Sequence, residues 1–245
     1  VRNAHRINRG AYPELRQRDT DFFLERRESV QSAVDSVVKL VTKRLPNYMG
    51  LDPLRDIQVM APMKRTDAGV FALNAALQAA LNPPAPGKPE MNRGEALFRL
   101  GDKVMQIKNN YGLQWRRGGE IGEGAFNGDI GFIREIDRLG ELVTVEFDDG
   151  REAEYGLQEL EELELAYCMS VHKSQGSEFD CVVLPLVAGP RMLMTRNLLY
   201  TAVTRAKKLV VVVGREACLK NMVDNDYIDR RFSALDRRLR AWLTK

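Results

Sequence analysis

The sequence predicts an α/β domain that is interrupted by a small β-rich insertion. Three apolar runs, AYCMSV, FDCVVLPL and KLVVVVG, lie in the last third of the 245-residue chain, and a fourth, IQVMAP, spans residues 57–62. Runs that are apolar throughout are typical of strands buried on both faces of a parallel sheet. The middle of the chain instead alternates apolar and polar residues in short segments separated by glycine, as antiparallel strands do.

Helices are predicted between the buried strands by apolar residues at steps of three and four. DFFL at residues 21–24 predicts a first strand, and the helix over residues 28–45 is expected to end at Pro46. A second helix is expected to take Asp67 as its N-terminal cap. A third, RNLLYTAVTRA, is expected between the last two strands. The apolar faces are Val30, Val34, Val37, Val41 and Leu45 in the first, Val70, Leu73, Leu77 and Leu81 in the second, and Phe232, Leu235, Leu239 and Trp242 in a basic C-terminal helix.

The insertion is predicted to be a small β-barrel. Residues 82–95 hold four prolines and two glycines, which break regular structure before it. Four or five short strands follow, with a hairpin turn at Asp149-Gly150 and a glycine-rich, mobile segment at residues 109–128. We therefore expect residues 1–96 and 165–245 to form one discontinuous α/β domain, and residues 97–164 to form the barrel.

The net charge of +3 conceals an uneven distribution. Residues 135–164 hold twelve acidic residues against two arginines, so a local balance of −10 leaves +13 for the rest of the chain. A basic body is typical of proteins that bind polyanions, although an ordinary solvated surface explains the same charges.

Several classes of protein are disfavoured by what the sequence lacks. Three cysteines without CxxC spacing and only two histidines argue against a zinc site and favour a reduced, cytoplasmic setting. No apolar run approaches the roughly 20 residues of a membrane span, and no signal peptide opens the chain. No GxxxxGKS/T motif is present, so the chain does not form a Walker-type nucleotide cradle by itself.

A polar cluster follows the first of the late apolar runs. Loops at the carboxyl ends of parallel strands are where α/β domains bind ligands. Imidazole and ammonium groups donate to phosphates, a carboxylate accepts from hydroxyls or water, and a glycine permits a positive φ. A surface loop with a required glycine explains the cluster equally well when it is taken alone. The residues in question are Ser170, His172, Lys173, Gln175, Gly176 and Glu178.

Arg205 lies in a second cluster, YTAVTRAKK, at residues 200–208. The pattern places it on a helix whose apolar residues face inward, close to an edge of the sheet. An arginine that reaches across an interface can stabilise a phosphoryl group during its transfer. A surface arginine is the simpler interpretation of an isolated one.

Together the two clusters resemble motifs V and VI of superfamily 1 helicases, in particular the RecD-like group. HKSQGSEF resembles motif V and YTAVTRAKK resembles motif VI. IQVMAPMKRTDAGVFALNAAL resembles the strand and helix of motif IVa, and NAHRIN resembles the helix after motif IV. The resemblance extends over nearly the whole chain. It implies a RecA-like parallel-sheet domain of the P-loop NTPase fold, called 2A, with an inserted SH3-like barrel, called 2B.

The resemblance also implies a mechanism shared with a second domain. In this family ATP with magnesium binds between 2A and an N-terminal domain, 1A, which carries the P-loop lysine and the magnesium-binding acids. The chain is therefore expected to be the second half of an ATP-dependent 5′–3′ DNA helicase and inactive without 1A. The implied roles are an arginine finger for Arg205, nucleotide contacts for Gln175, Gly176 and Glu178, and contacts to single-stranded DNA for Ser170, His172, Lys173, Lys64 and Arg65.

Two questions stay open at this stage. Tyr111 and Trp115, interleaved with basic residues, can form a stacking patch for nucleic acid or can simply belong to a glycine-rich loop. The chain can also be a non-catalytic nucleic-acid-binding or protein-interaction module that uses the barrel. The RecD-like resemblance adds DNA repair and recombination as a setting and the subunits of a nuclease complex as possible partners.

Overall fold

Five parallel strands form the central sheet, and a separate antiparallel sheet lies between two of them in the chain. The computed structural model describes residues 2–15, 21–94, 96–187 and 189–227, together with Arg240 and Trp242. In chain order the elements are α1 (Arg2–Asn8), β1 (Phe22–Arg26), α2 (Val30–Lys39), α3 (Leu45–Met49), β2 (Ile57–Ala61), α4 (Val70–Leu81), β3 (Glu90–Arg93), β4 (Ala96–Arg99), β5 (Lys103–Gln106), β6 (Asn110–Arg117), β7 (Glu120–Ala125), β8 (Ile130–Asp137), β9 (Leu142–Phe147), β10 (Glu152–Tyr155), β11 (Leu163–Leu165), β12 (Cys168–Ser170), β13 (Phe179–Leu186), α5 (Arg196–Val203), β14 (Ala206–Gly214) and α6 (Glu216–Asp224).

The predicted α/β domain with a buried parallel sheet is confirmed. Its strand order is β1-β14-β13-β2-β12, and every neighbouring pair is parallel. Successive side chains of a strand point to opposite faces, so the apolar runs supply two cores at once. Val182, Leu184 and Val212 pack with α1, α5 and α6 on one face, whereas Val183 and Val211 pack with α2 and α4 on the other.

The helix predicted to end at Pro46 runs further along the chain. After α2 the backbone makes a π-helical turn over Leu40–Arg44 and continues as α3, with Pro46 in the first turn of that helix. Proline is tolerated in a first turn because its missing N–H has no partner to bind there. The helix ends instead at Gly50, which adopts φ +66°.

The residue predicted to cap α4 is also wrong. Gly69, not Asp67, precedes the helix, and no side chain caps it. The first N–H groups are satisfied by main chain, because Val70 N donates to the Met63 carbonyl and Phe71 N to the Lys64 carbonyl. The predicted apolar face is otherwise correct, since Leu73 and Leu77 are fully buried.

The insertion is an antiparallel module with its own core. Seven strands pair in the order β11-β5-β8-β9-β10-β6-β7, and β3 pairs with β4 in a separate hairpin. Phe98, Val145 and Tyr155 are among the side chains that fill its core. The predicted turn at Asp149-Gly150 connects β9 and β10. Residues 109–128, expected to be mobile, contain the β6–β7 hairpin instead. The hairpin is held because Leu113 and Trp115 pack against the core of the module.

Buried polar groups join the two parts where the chain passes between them. The carboxylate of Asp102, at the entry to β5, is fully buried. It accepts hydrogen bonds from Gln78 Nε2 (2.6 Å) and Asn82 Nδ2 (2.6 Å) on α4, from Tyr167 Oη (2.8 Å) before β12, and from Arg99 N (2.7 Å). Burial raises the pKa of Asp102, and these hydrogen bonds oppose that shift.

A second set of amide side chains holds the exit from the module. On β2, Gln58 Nε2 donates to the carbonyls of Ala166 and Tyr167 at 3.1 and 3.2 Å. On α4, Asn74 donates to the carbonyls of Leu165 and Cys168 and accepts from the backbone N–H of Cys168. The main chain that enters β12 is therefore held by hydrogen bonds from both β2 and α4.

Two features concern the ends of the chain and its cysteines. Phe232, Leu235 and Leu239 of the predicted C-terminal helix lie outside the described residues, whereas Trp242 is described and exposed. Cys168, Cys181 and Cys218 are buried free thiols. Among the helices that the structure describes, none has the length and apolar character of a membrane span.

We expect Asp102→Ala to lower the free energy of unfolding by about 3 kcal/mol or more, because it leaves several buried donors without an acceptor. Asp35→Ala is the matched control, since Asp35 is exposed on α2 and its loss should cost within about 0.5 kcal/mol. Urea titrations followed by circular dichroism measure both. Equal midpoints for the two variants would remove Asp102 from its role as the junction.

Candidate functional site

Six of the nine predicted site residues lie on or next to one loop that runs between the two edges of the parallel sheet. Ser170 is the last residue of β12 and pairs with Ala61 at the end of β2, so it lies at the carboxyl edge. The loop at residues 171–178 then leads to Phe179, which begins β13 and pairs with Ala206. Since all five strands are parallel, this second point is at the amino edge of the sheet. The loop therefore connects the two opposite edges.

Packing fixes the first half of this loop. Residues Val171–Ser174 form a 3-10 turn. Val171 is buried in the same core as Leu199 of α5, and the fully buried hydroxyl of Ser174 donates to the Val171 carbonyl at 2.8 Å. His172 is exposed between these two anchors. Its imidazole is thus presented to solvent next to Ser170, at the carboxyl edge.

A tight turn forms the second half of the loop. Gln175 has φ −62° and ψ 129°, Gly176 has φ +90°, and Ser177 N donates to the Ser174 carbonyl at 3.1 Å. These values are those of a type II turn, whose third position favours glycine because it requires a positive φ. Gln175 and Gly176 are exposed, and so is Glu178, whose carboxylate is 4.0 Å from Lys207 Nζ.

Arg205 lies beside this turn, at the amino edge. The sequence placed it on a helix, but α5 ends at Val203, and Arg205 occupies the two-residue turn before β14. Its carbonyl accepts from Phe179 N at 2.9 Å, which ties that turn to the end of the loop. Its guanidinium makes one long hydrogen bond, from Nη1 to the Ser177 carbonyl at 3.3 Å, and its Nε is buried without a partner.

Lys64 and Arg65 follow β2 and therefore share the carboxyl edge with Ser170. Both cations lie over the ring of Phe71, at 5.8 and 5.9 Å from its centroid, and Phe71 is 43% exposed. Lys64 also forms an ion pair of 3.0 Å with Glu164, which belongs to the acidic segment. The structure thus brings these two cations to the same edge as Ser170 and His172.

Lys173 points away from its exposed neighbour and toward the antiparallel module. Its ammonium donates to the Ile107 carbonyl at 3.0 Å and to Asn127 Oδ1 at 2.5 Å. Burial lowers the pKa of Lys173, while the nearby Glu164 opposes that shift and Lys64 adds to it. No local pattern predicts this contact, because Ile107 and Asn127 lie 66 and 46 residues away along the chain.

The aromatic patch that the sequence suggested, Tyr111 with Trp115, is not a single patch in the structure. Trp115 lies against Gly122, with the guanidinium groups of Arg117 and Arg151 over its ring at 5.7 and 5.8 Å. Tyr111 is exposed and contacts Phe126, which the sequence pattern did not single out. In the described part of the chain, no three His, Cys, Asp or Glu side chains are grouped as metal ligands would be.

Two family descriptions match separate parts of the chain. Residues 73–147 match the ATP-dependent RecD-like DNA helicase SH3 domain, and residues 165–213 match the UvrD-like helicase C-terminal domain. The first covers most of the antiparallel module. The second covers β12, the loop at residues 171–178, β13, α5 and most of β14.

Two curated relatives are a DNA helicase and a subunit of the RecBCD enzyme. The ATP-dependent RecD2 DNA helicase of Deinococcus radiodurans is 38% identical over 151 residues, which are 62% of this chain and 19% of that protein. The RecBCD enzyme subunit RecD of Mycolicibacterium smegmatis is 31% identical over 196 residues, or 78% of this chain and 30% of that subunit. The chain thus spans about a fifth to a third of these curated relatives.

The structural likeness concerns the fold. The Pif1 helicase from Bacteroides, crystallised with ADP-AlF3 and single-stranded DNA, superposes with a TM-score of 0.51 at 15% identity, covering 100% of this chain and 53% of that one. The parallel-sheet domain accordingly has the RecA-like helicase fold that the family resemblance implied.

Proposed function

Since the chain belongs to the RecD-like superfamily 1 helicases, we propose that it is the second motor domain of an ATP-dependent 5′–3′ DNA helicase. In this proposal it supplies the arginine finger and part of the track for single-stranded DNA. A separate domain 1A with a P-loop supplies the rest of the nucleotide site. We also keep residues 1–96 with 165–245 as domain 2A and residues 97–164 as domain 2B, an SH3-like barrel.

The observation that carries the proposal is the state of Arg205. A buried guanidinium nitrogen without a partner is costly, by about 1–3 kcal/mol, and such groups mark strained or functional positions. Arg93 Nε is in the same state, but the Arg93 guanidinium also donates to Glu161 at 2.6 Å. The remaining bond of the Arg205 guanidinium, at 3.3 Å, is long for a charged donor. Arg205 is therefore a cation that the chain's own groups leave largely unsatisfied, as an arginine that acts on a phosphate of a shared site must be.

The surrounding residues fit one side of a nucleotide site. Gln175, Gly176 and Glu178 are exposed on the turn that Arg205 contacts through Ser177. We propose that they face ATP, with Glu178 positioned to accept from a hydroxyl or water. ATP with magnesium supplies the phosphoryl group that is transferred, and we assign the P-loop and the magnesium ligands to domain 1A.

The carboxyl edge fits a single-stranded DNA track. Ser170 and His172 offer hydroxyl and imidazole donors, and Lys64 and Arg65 add positive charge beside them. Such groups hold phosphates without reading sequence. Lys173 belongs to the same stretch, and we propose that it acts there by fixing the module beside the track. The RecBCD subunit relative adds subunits of a nuclease complex to the proposed partners.

The two sites are connected by the loop at residues 171–178. The DNA-facing residues lie at its start and the nucleotide-facing residues at its end. Because both halves are anchored, by Val171 and Ser174 in the core and by the bond between Phe179 and Arg205, a displacement at one edge is transmitted along a short main-chain segment. Closure of the nucleotide cleft would thus change the grip on DNA.

The non-catalytic alternative, a binding module that uses the barrel, predicts that Arg205 has no effect on a reaction. Residues 165–213 match a helicase domain and not a binding module alone, which favours the motor. The effect of Arg205→Ala on ATP turnover separates the two.

The 245-residue chain by itself should release no phosphate from ATP above background, with or without single-stranded DNA. The physical reason is that its sequence has no P-loop motif to cradle the phosphates. A coupled phosphate-release assay on purified material measures this. Turnover that persists through purification and disappears in Arg205→Ala would contradict the assignment to domain 2A.

In the complete protein, Arg205→Ala should lower the DNA-stimulated ATP turnover by about 10³-fold or more, which is the range for an arginine finger. Single-stranded DNA affinity should change little, because Arg205 lies at the opposite edge from His172. Arg215→Ala is the matched control, since Arg215 is exposed at the other end of β14. Turnover within a few-fold of wild type would exclude the finger role.

His172→Ala should weaken binding of a single-stranded oligonucleotide by about two- to tenfold, the loss expected for one hydrogen bond. The control is His5→Ala, because His5 is the only other histidine and is exposed on α1. Filter binding or fluorescence anisotropy at fixed salt gives both affinities. If the two substitutions have equal effects, His172 does not line the track.

A further inference from the structure

Two aromatic side chains stand exposed together on the antiparallel module, close to the loop that begins at Val171. Tyr111 is 71% exposed and Phe126 is 45% exposed. Their ring centroids are 5.9 Å apart with the planes at 76°, an edge-to-face pair. We propose that this pair is a stacking platform for bases of single-stranded DNA, which extends the track from the parallel sheet onto the module. The proposal rests on the proposed function.

A β-bulge turns Tyr111 out of the module core. Asn110 pairs with Ala125 and Gln114 pairs with Glu123, so three residues of β6 face the single residue Gly124 of β7. In a regular strand Tyr111 and Leu113 would share a face. Here Leu113 is 6% exposed while Tyr111 is turned to solvent. Bulges that re-aim a side chain are common beside functional sites.

The pair is held in place by its neighbours. Gly124 has φ +107°, and a Cβ on it would lie 3.1 Å from the Phe126 ring, so the ring packs directly over this glycine. Asn109 Oδ1 accepts from Asn127 N at 2.9 Å, which joins the segment before Tyr111 to the segment after Phe126. Since neither ring is needed to fill the core, hydrophobic burial does not account for their position.

Direct contacts connect the platform to the proposed track. Asn127, adjacent to Phe126, accepts from Lys173 Nζ, and the Ile107 carbonyl accepts from the same ammonium. Lys173 immediately follows His172, the exposed donor on the carboxyl edge. Single-stranded DNA that continues from His172 toward Lys173 would therefore meet the module at the segment that carries both rings.

The chemistry of the patch favours nucleic acid over an apolar peptide. Lys108 is exposed and lies three residues before Tyr111 in the chain. Aromatic rings interleaved with cations suit a strand whose bases stack while its phosphates are neutralised, and such binding tolerates any sequence. A hydrophobic peptide would gain little from Lys108 and from the polar groups of Asn109 and Asn127.

The test compares an oligothymidylate with an oligonucleotide of equal length in which every position is abasic. Tyr111→Ala should weaken binding of the oligothymidylate to the 245-residue chain by about five- to 150-fold, the range for loss of one base–aromatic stack. It should leave binding of the abasic strand at the wild-type level. Tyr111→Phe should restore affinity for the oligothymidylate, and Phe126→Leu should lower it.

Tyr48→Ala is the matched control, because Tyr48 is a tyrosine of similar exposure, 75%, on α3 and not on the antiparallel module. If wild type binds oligothymidylate and Tyr111→Ala binds like Tyr48→Ala, the platform is refuted while the proposed function stands. Equal weakening on both oligonucleotides refutes stacking. If wild type binds neither strand at any protein concentration, the DNA track itself falls. Thermal melting of each variant confirms that the folded state is compared throughout.

Discussion

The buried carboxylate of Asp102 is the constraint on which the arrangement of the two sheets depends. An inserted module that is connected by two crossing segments is free to swing unless those crossings are fixed. Asp102 fixes the entry by accepting hydrogen bonds from α4, from the segment before β12 and from its own turn. Gln58 and Asn74 fix the exit through main-chain carbonyls. A buried network is stabilising only when every member is satisfied, and here the donors and acceptors match.

The same junction positions the loop at residues 171–178. Tyr167 and Cys168, which the junction holds, lead directly into Ser170 and the 3-10 turn. The antiparallel module is held a second time by Lys173, which reaches from that turn to Ile107 and Asn127. Module, turn and sheet edge are consequently one unit. A displacement of the 3-10 turn would therefore also displace the module, whereas a flexible junction at Asp102 would let the turn move alone.

The sequence predicted those parts of the fold that depend on local pattern. The all-apolar strands and the face of α4 with Leu73 and Leu77 follow from periodicity, and the turn at Asp149-Gly150 follows from residue type. The rest depends on distant partners. Pro46 looked like a helix end because a π-helical turn before it leaves no local signature. The glycine-rich residues 109–128 looked mobile because the partners of Trp115 are only apparent once β7 and β10 are paired.

The candidate site divides in the same way. Gly176 was predictable because one residue type suits a positive φ, and the edge shared by Ser170 and Lys64 follows from parallel pairing. The direction of a long side chain does not follow from either. Lys173 was grouped with His172 by adjacency, yet a 3-10 turn separates them by about 120°, so one faces solvent and the other the module. Phe126 was missed because its contact with Tyr111 depends on the bulge in β6.

The position of Arg205 shows how the fold keeps a costly group in place. Its backbone is fixed independently of its side chain, since the Arg205 carbonyl accepts from Phe179 and the Arg205 N–H donates to Ala202. The turn before β14 therefore has the same geometry whatever the guanidinium contacts. An uncompensated Nε would normally be relieved by a rotamer change toward solvent, but here it is buried beside the turn at Ser177. In the proposed role of Arg205 as an arginine finger, a donor that is held in advance and left unsatisfied would stabilise developing charge without reorganisation, as preorganised sites do.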